Sequence, residues 1–204
     1  MHLYGFALLP SVAVQQEVID FQQRHLDELN GPVLGLDTNL PHTSVLQHPY
    51  VQGVDYAPYL GLAESAIEAT WTDCYYQPVG WLFAGVQSNP AMRRLQDRLL
   101  EATKRHIDTT QIDQRADLSK LTKLEAQNYQ AYGYRYVGDA YRPHVTIGRA
   151  SDDRGDLSPE LKRDFQKTFS GKSFSYDRIA FYEAGEFGSL KRVVYVRALP
   201  AADR

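Results

Sequence analysis

Two short stretches carry residue types able to move protons. One is Leu40-Pro41-His42-Thr43-Ser44-Val45-Leu46 and the other is Arg142-Pro143-His144-Val145-Thr146-Ile147-Gly148-Arg149. Both read Pro-His-x-(Ser/Thr)-aliphatic. Imidazole titrates near neutrality, so one ring can start neutral and take a proton while a second starts charged and gives one. Phosphodiester cleavage needs both: a base for the attacking water or hydroxyl, an acid for the leaving oxygen, and donors for the non-bridging oxygens as charge builds on them. In an extended strand side chains alternate between faces. His42 and Ser44 therefore share one face, as do His144 and Thr146, while Val45, Val145 and Ile147 point the other way into a core. The expected catalytic set is His42, His144, Ser44 and Thr146.

A single Pro-His-x-Thr is more often a half-buried histidine beside a β-former. The duplication changes that reading: His144 follows His42 by 102 residues in a chain of 204, the offset expected if each half of a two-lobed domain gives one copy to a shared cleft. Arg142 and Arg149 flank the second copy and are candidates to neutralise a phosphate. Tyr4, Phe6, Trp81, Phe83, Tyr141 and Tyr182 are candidates to stack a base, with Tyr141 and Tyr182 favoured for substrate binding because they lie on or beside strands leading to the cleft. His2, His25, His48 and His106 have no Ser or Thr two residues on, and His25 and His106 fall on helices, where a surface position is expected.

The elements that must hold these residues are legible in outline. Leu3 to Leu9 reads as a strand, and Ser11 is placed to cap a helix whose apolar positions Val14, Val18, Phe21 and Leu29 run to Gly31-Pro32. Thr38 to Gln47 carries the first motif. Tyr56, Leu60, Ala63 and Ile67 predict a second helix from Tyr56 to about Thr70. Cys74 to Val86 favours two short strands or one bulged strand. Asn89-Pro90 opens a helix with Met92, Leu95, Leu99, Leu100 and Ile107 inward. A weaker helix over Leu118 to Gln130 leads through a tyrosine-rich segment to the second motif. A polar loop, Ser151 to Asp156, follows, then a helix capped by Ser158-Pro159 and ended by Gly171. Two strands, Phe174 to Glu183 and Arg192 to Leu199, close the chain. Nothing divides it, so residues 1–204 read as one bilobal domain.

Composition excludes several classes. Hydrophobic residues are 43% and charged residues 23%, as in an ordinary folded domain. The net charge of −3 and pI of about 6.1 leave no basic field for duplex DNA. Cys74 is the lone cysteine, so no internal disulfide and no cysteine-based zinc site is expected, which fits a cytoplasmic location. No His-Glu-x-x-His occurs. The apolar start is too short to span a bilayer and lacks the basic region of a signal peptide. No membrane association is expected.

With its two His-x-(Ser/Thr) motifs, His42-Thr43-Ser44 and His144-Val145-Thr146, the chain resembles the 2H (two-histidine) phosphoesterase superfamily, among it 2′–5′ RNA ligase and RNA 2′,3′-cyclic phosphodiesterase-like proteins. Ser44 stands where threonine is common, but the hydroxyl is kept. The resemblance implies an α+β, bilobal, duplicated fold in which two antiparallel-rich sheets face a central cleft with helices packed outside. It implies metal-independent hydrolysis; for the chain itself a monomer without a cofactor is expected. The implied substrate is a nucleotide or RNA end carrying a 2′,3′-cyclic phosphate, a 2′–5′ linkage or ADP-ribose cyclic phosphate. It further implies that His144 activates water and His42 protonates the leaving ribose oxygen. The alternatives are a non-catalytic nucleotide- or RNA-binding module using the same cleft, an enzyme degrading cyclic oligonucleotides, and, less well supported by the residues, a metal hydrolase.

Overall fold

The protein was analysed as a computed structural model that describes residues 3–77, 80–150 and 157–201; His2 and the expected polar loop Ser151–Asp156 lie outside them. The first strand, β1 (Tyr4–Pro10), sends Phe6 and Leu8 into the main core and Ala7 and Leu9 into a smaller cluster with Ala180, Tyr182 and Leu190. Ser11 then caps α1 (Val12–Arg24) by accepting from the Val14 N–H. This helix stops earlier than its apolar spacing predicts, because the chain turns into a short strand, β2 (Leu29–Asn30). The first motif enters β3 (Thr43–His48).

The helix expected from Tyr56 to Thr70 does not form. Pro58 and Gly61 limit it to a 3-10 turn over Ala57–Leu62, and β4 (Ile67–Tyr76) follows, burying Ile67, Ala69 and Trp71 at a period of two. β5 (Trp81–Val86) completes a hairpin with it. Asn89 accepts from the Met92 N–H and Pro90 takes the first position of α2 (Pro90–Thr103). Thr122 and Glu125 form a capping box on α3 (Lys123–Tyr132), which ends at left-handed Gly133. The second motif forms β6 (His144–Ala150), Ser158 caps α4 (Pro159–Thr168), and β7 (Ser173–Ala184) and β8 (Leu190–Ala198) close the fold.

Among the described residues the architecture is α+β with eight strands, all paired antiparallel. One group runs β3-β1-β7-β8 and the other β4-β5-β6-β2. They are continuous at two seams: Ile67–Thr70 of β4 pairs with Ser173–Tyr176 of β7, and Thr43 of β3 pairs with Val145 of β6. The second seam joins the two motifs.

Helices cover the faces away from that seam's polar side chains. Phe21 of α1 meets Phe165 and Phe169 of α4, and Phe169 meets Trp71 of β4. α2 packs on β3, next to a cluster of Phe6, Tyr50, Tyr56 and Phe181. His25, expected at the surface, is buried instead: its Nε2 lies 3.0 Å from Asp164 Oδ2 and ties α1 to α4.

His48 is fully buried, with Nδ1–H donating to the Tyr132 carbonyl at 2.7 Å inside a cage of Tyr50, Tyr132 and Tyr134. Burial pushes its pKa down from 6.5 to about 4. The unfolded chain therefore binds this proton first. The stability is complete above pH 6.5 and is lost as pH falls from 6.5 towards 4, by at most ~3 kcal/mol at about 1.4 kcal/mol per pH unit. Urea midpoints should fall between pH 7.5 and pH 5, and His48→Gln should flatten that fall; equal slopes in the two proteins would contradict it.

Candidate active site

The site is built at the seam. Thr43 and Val145 pair across it with their side chains fully buried, Thr43 Oγ1 lying 2.6 Å from the Tyr176 hydroxyl. Strand alternation then turns the residues on either side of each, His42 and Ser44, His144 and Thr146, to the opposite face. All four line one cavity of about 420 Å³. Because the strands are antiparallel, the register carries His42 towards Thr146 and Ser44 towards His144, so each imidazole has the other motif's hydroxyl beside it.

The two histidines are held the same way. Nδ1–H of His42 donates to the Leu40 carbonyl and Nδ1–H of His144 to the Arg142 carbonyl, each at 2.7 Å. The intervening Pro41 and Pro143 have a fixed φ and keep the residue before them extended, which sets that carbonyl. With Nδ1 committed as donor, the neutral ring carries its lone pair on Nε2. His144 is stacked on Phe83 with centroids 3.8 Å apart, and the Tyr136 ring meets it edge-on at 5.4 Å. His42 packs beside Tyr182 at 5.2 Å. Desolvation is the main cause that pushes both pKa values down to about 4, against the backbone bonds; the charges of Arg135 and of His42 lower His144 further. Both rings are thus neutral at pH 7.

Ser44 Oγ lies 3.0 Å from the Tyr182 hydroxyl, which also accepts from Gln47 Nε2 at 3.2 Å. That order lets Tyr182 donate to Ser44 and leaves the serine proton for a ligand oxygen. Gly5 makes room for this arrangement, since a Cβ there would sit 2.6 Å from the Tyr182 ring and 2.7 Å from the Leu46 carbonyl.

Three buried glutamines on helices hold the irregular backbone around the motifs. Gln15 Nε2 donates to the Pro41 carbonyl at 3.0 Å. Gln22 donates to the Ile147 and Pro32 carbonyls and accepts from the Leu34 N–H. Gln96 donates to the Val45 and Tyr136 carbonyls at 2.8 and 2.9 Å and accepts from the Gly138 N–H at 2.9 Å.

Four substrate-binding expectations are corrected. Tyr141 is 3% exposed and is not a cavity residue, so it offers no face to a base. Tyr182 is fully buried behind His42 and serves Ser44 through its hydroxyl instead of stacking a ligand. Arg142 is exposed and outside the cavity lining; what it gives the site is its carbonyl. A bulge at Ile147 pairs Arg149 with Trp81 and returns it to the face of Thr146, but its side chain runs beside Gly80 and is not among the residues lining the cavity. Of the other aromatic candidates, Tyr4 and Phe6 pack with Phe181, while Trp81 and Phe83 line the cavity. The residues that periodicity did not disclose are Arg135, Tyr136 and Gln47, which line the cavity from the turn after α3 and from the cleft side of β3.

Among the described residues no three His, Cys, Asp or Glu side chains come together as a metal-ion site, and no helix is long and apolar enough to cross a membrane. No family model and no curated protein matches the chain. Solved structures do. E. coli LigT in apo form matches at a TM-score of 0.59 with 12% identity, covering 98% of each chain. E. coli LigT complexed with NADP+ matches at 0.55 with 13% identity, covering 97% of this chain and 98% of that one. A structure described as a phosphoesterase matches at 0.55 with 13% identity, covering 98% and 99%. At that identity the likeness establishes the fold alone, which is that of LigT.

Proposed function

We propose that the chain is a phosphodiesterase that needs no metal, hydrolysing a cyclic phosphate or 2′–5′ phosphodiester of a nucleotide or RNA end with His42 and His144 as an acid–base pair. The observation that carries this reading is the seam: a single register pair, Thr43 with Val145, turns both imidazoles and both hydroxyls into one cavity. A cavity of about 420 Å³ with aromatic walls suits a nucleotide. The complexes of E. coli LigT with NADP+, phosphate and ATP support phosphate-bearing nucleotides as the ligand class.

In the reaction water attacks phosphorus, one Nε2 takes its proton, and the other ring gives a proton to the leaving ribose oxygen. The acid must therefore be charged when substrate is bound, although the protein's own groups leave both rings neutral at pH 7. An anionic phosphate raises the pKa of the ring beside it and draws that proton in. The charge of Arg135 opposes a proton on His144. That favours His144 as base and His42 as acid.

The test is a panel assayed in EDTA: 2′,3′-cyclic mononucleotides, 2′–5′ and 3′–5′ dinucleotides, and cyclic dinucleotides. Turnover of a 2′,3′-cyclic or 2′–5′ member undiminished by EDTA is expected. Activity lost in EDTA and restored by a divalent ion, or turnover of none of the panel, would contradict the reading.

A further inference from the structure

We propose that Arg135 is the phosphate-binding cation of this cleft, its guanidinium holding a non-bridging oxygen of the scissile phosphate. The proposal rests on the reaction read above, and charge balance motivates it. Attack of water on a phosphodiester monoanion, with the water's proton passing to the base, puts a second negative charge on phosphorus. The two rings carry their positive charge at the attacking and leaving oxygens, while Ser44 and Thr146 bring only neutral donors to the non-bridging ones. A cation at the non-bridging oxygens matches the charge that builds there.

The cations on the cavity wall are Lys120 and Arg135. Lys120 is exposed, on the loop before α3, with Asp117 also on that wall. Arg135 is half-buried and its surroundings are built to hold it. Its guanidinium lies over the Tyr136 ring, 4.5 Å from the centroid, and the same ring meets His144 at 5.4 Å. That ring is itself fixed, since Gln77 Nε2 donates to its hydroxyl at 2.7 Å. The backbone is held as well. Asn128 of α3 donates to the carbonyls of Arg135 and Val137 at 3.1 and 2.9 Å, and Gln96 of α2 to that of Tyr136. Four side-chain amide bonds from two helices, counting the Gly138 N–H donation to Gln96, and a fifth from Gln77 in the β4–β5 turn thus converge on an irregular segment that presents one arginine to the cavity. A guanidinium carries five N–H donors, so one that bonds the Tyr136 side chain still has others to offer a phosphate oxygen.

Arg135 also acts on His144 through space, lowering its pKa. The groups facing that ring are His42 across the seam, Arg135 and Tyr136 from the segment after α3, and Phe83 from β5, of which Phe83 does not titrate. Lys120 and Asp117 stand further round the cavity wall.

Sulfate, which does not titrate near neutrality, is the probe. Calorimetry of sulfate binding and an NMR titration of the histidine rings should be run on the wild type, Arg135→Gln and Arg135→Lys. Arg135→Gln is expected to weaken sulfate tenfold or more and to move the His144 titration to higher pH. Arg135→Lys should keep His144 near its wild-type titration but recover only part of the sulfate affinity, because a point charge lacks the fork. Unchanged sulfate affinity in Arg135→Gln, or an unmoved His144 titration, would overturn the proposal. If the wild type cleaves no phosphodiester while Arg135→Gln still loses sulfate and shifts His144, the reaction has been misread and the anion site stands.

Discussion

His42→Ala and His144→Ala will each lose about 10²–10⁴ of kcat on the best substrate, with a much smaller change in KM. Both imidazoles are presented by the same device, a proline that lets the carbonyl two residues back accept a hydrogen bond from Nδ1–H at 2.7 Å. Removing either ring leaves that device and the opposite wall standing, so binding survives while proton transfer fails. The double variant should be little worse than either single one, because a base without its acid, or the reverse, no longer completes the exchange. Ser44→Ala and Thr146→Ala should cost less, since each removes one of several donors to the phosphate. Steady-state kinetics of the five proteins check this, and near wild-type kcat in either histidine variant would turn the cleft into a binding site.

Gln96→Leu will be the most damaging single change away from the cavity. Gln96 is 1% exposed and makes three bonds, to the Val45 and Tyr136 carbonyls and from the Gly138 N–H. Leucine fits a helix facing the core, yet it leaves two acceptors and a donor unpaired where water does not reach, at a cost of about 3 kcal/mol. For a chain of this length that is a fall in Tm of roughly 6–12 °C. Catalysis should fall as well. Val45 follows Ser44, and Tyr136 carries Arg135 on its face and His144 on its edge. Gln16→Leu is the control, since Gln16 is exposed on α1 and bonds only Asp20. Thermal melts and kcat together decide it: equal stability in the two leucine variants would show that Gln96 does not anchor the motif strands.

The motifs were legible in the chain because they are local. A period of two over His42 to Val45 and His144 to Ile147 is enough to say which side chains share a face, and proline on the N-terminal side of each histidine marks where the strand begins. Ser11, Asn89 and Ser158 announced their helices for the same reason: a cap depends on residues three apart. Longer-range features were not legible. Tyr56, Leu60, Ala63 and Ile67 have helical spacing, but Ile67 is buried as the first residue of a strand and the others by a 3-10 turn.

The substrate-binding arginines went astray for a different reason. Closeness to the motif points to Arg149, and a bulge at Ile147 that no sequence pattern shows does return it to the face of Thr146, yet its side chain runs beside Gly80 and not among the cavity's lining residues. Arg135 lies nine residues before His144 in a turn without periodicity, and only the tertiary bonds of Asn128 and Gln96 bring it to the cavity. The glutamines did leave a signal. Gln15 and Gln22 fall with Val18 and Ile19 on one helical stripe, and Gln96 falls with Met92, Leu99 and Thr103, so a polar side chain stood at a core position in each case. Read as buried donors instead of solvated ones, they mark where a helix must reach a loop.

The central claim is that two histidines in one cleft exchange protons with a bound phosphodiester. The pH dependence of wild-type turnover tests it most directly. kcat/KM reports the free enzyme, whose His42 and His144 are each pushed down to about 4 and titrate as a pair. Its profile should be a bell with its maximum on the acidic side of pH 6.5, the unperturbed histidine value. kcat reports the complex, where the anionic phosphate raises the acid's pKa, so its maximum should lie at higher pH. A kcat/KM that is flat between pH 5 and 8, or that climbs to an alkaline plateau, would contradict the acid–base pair.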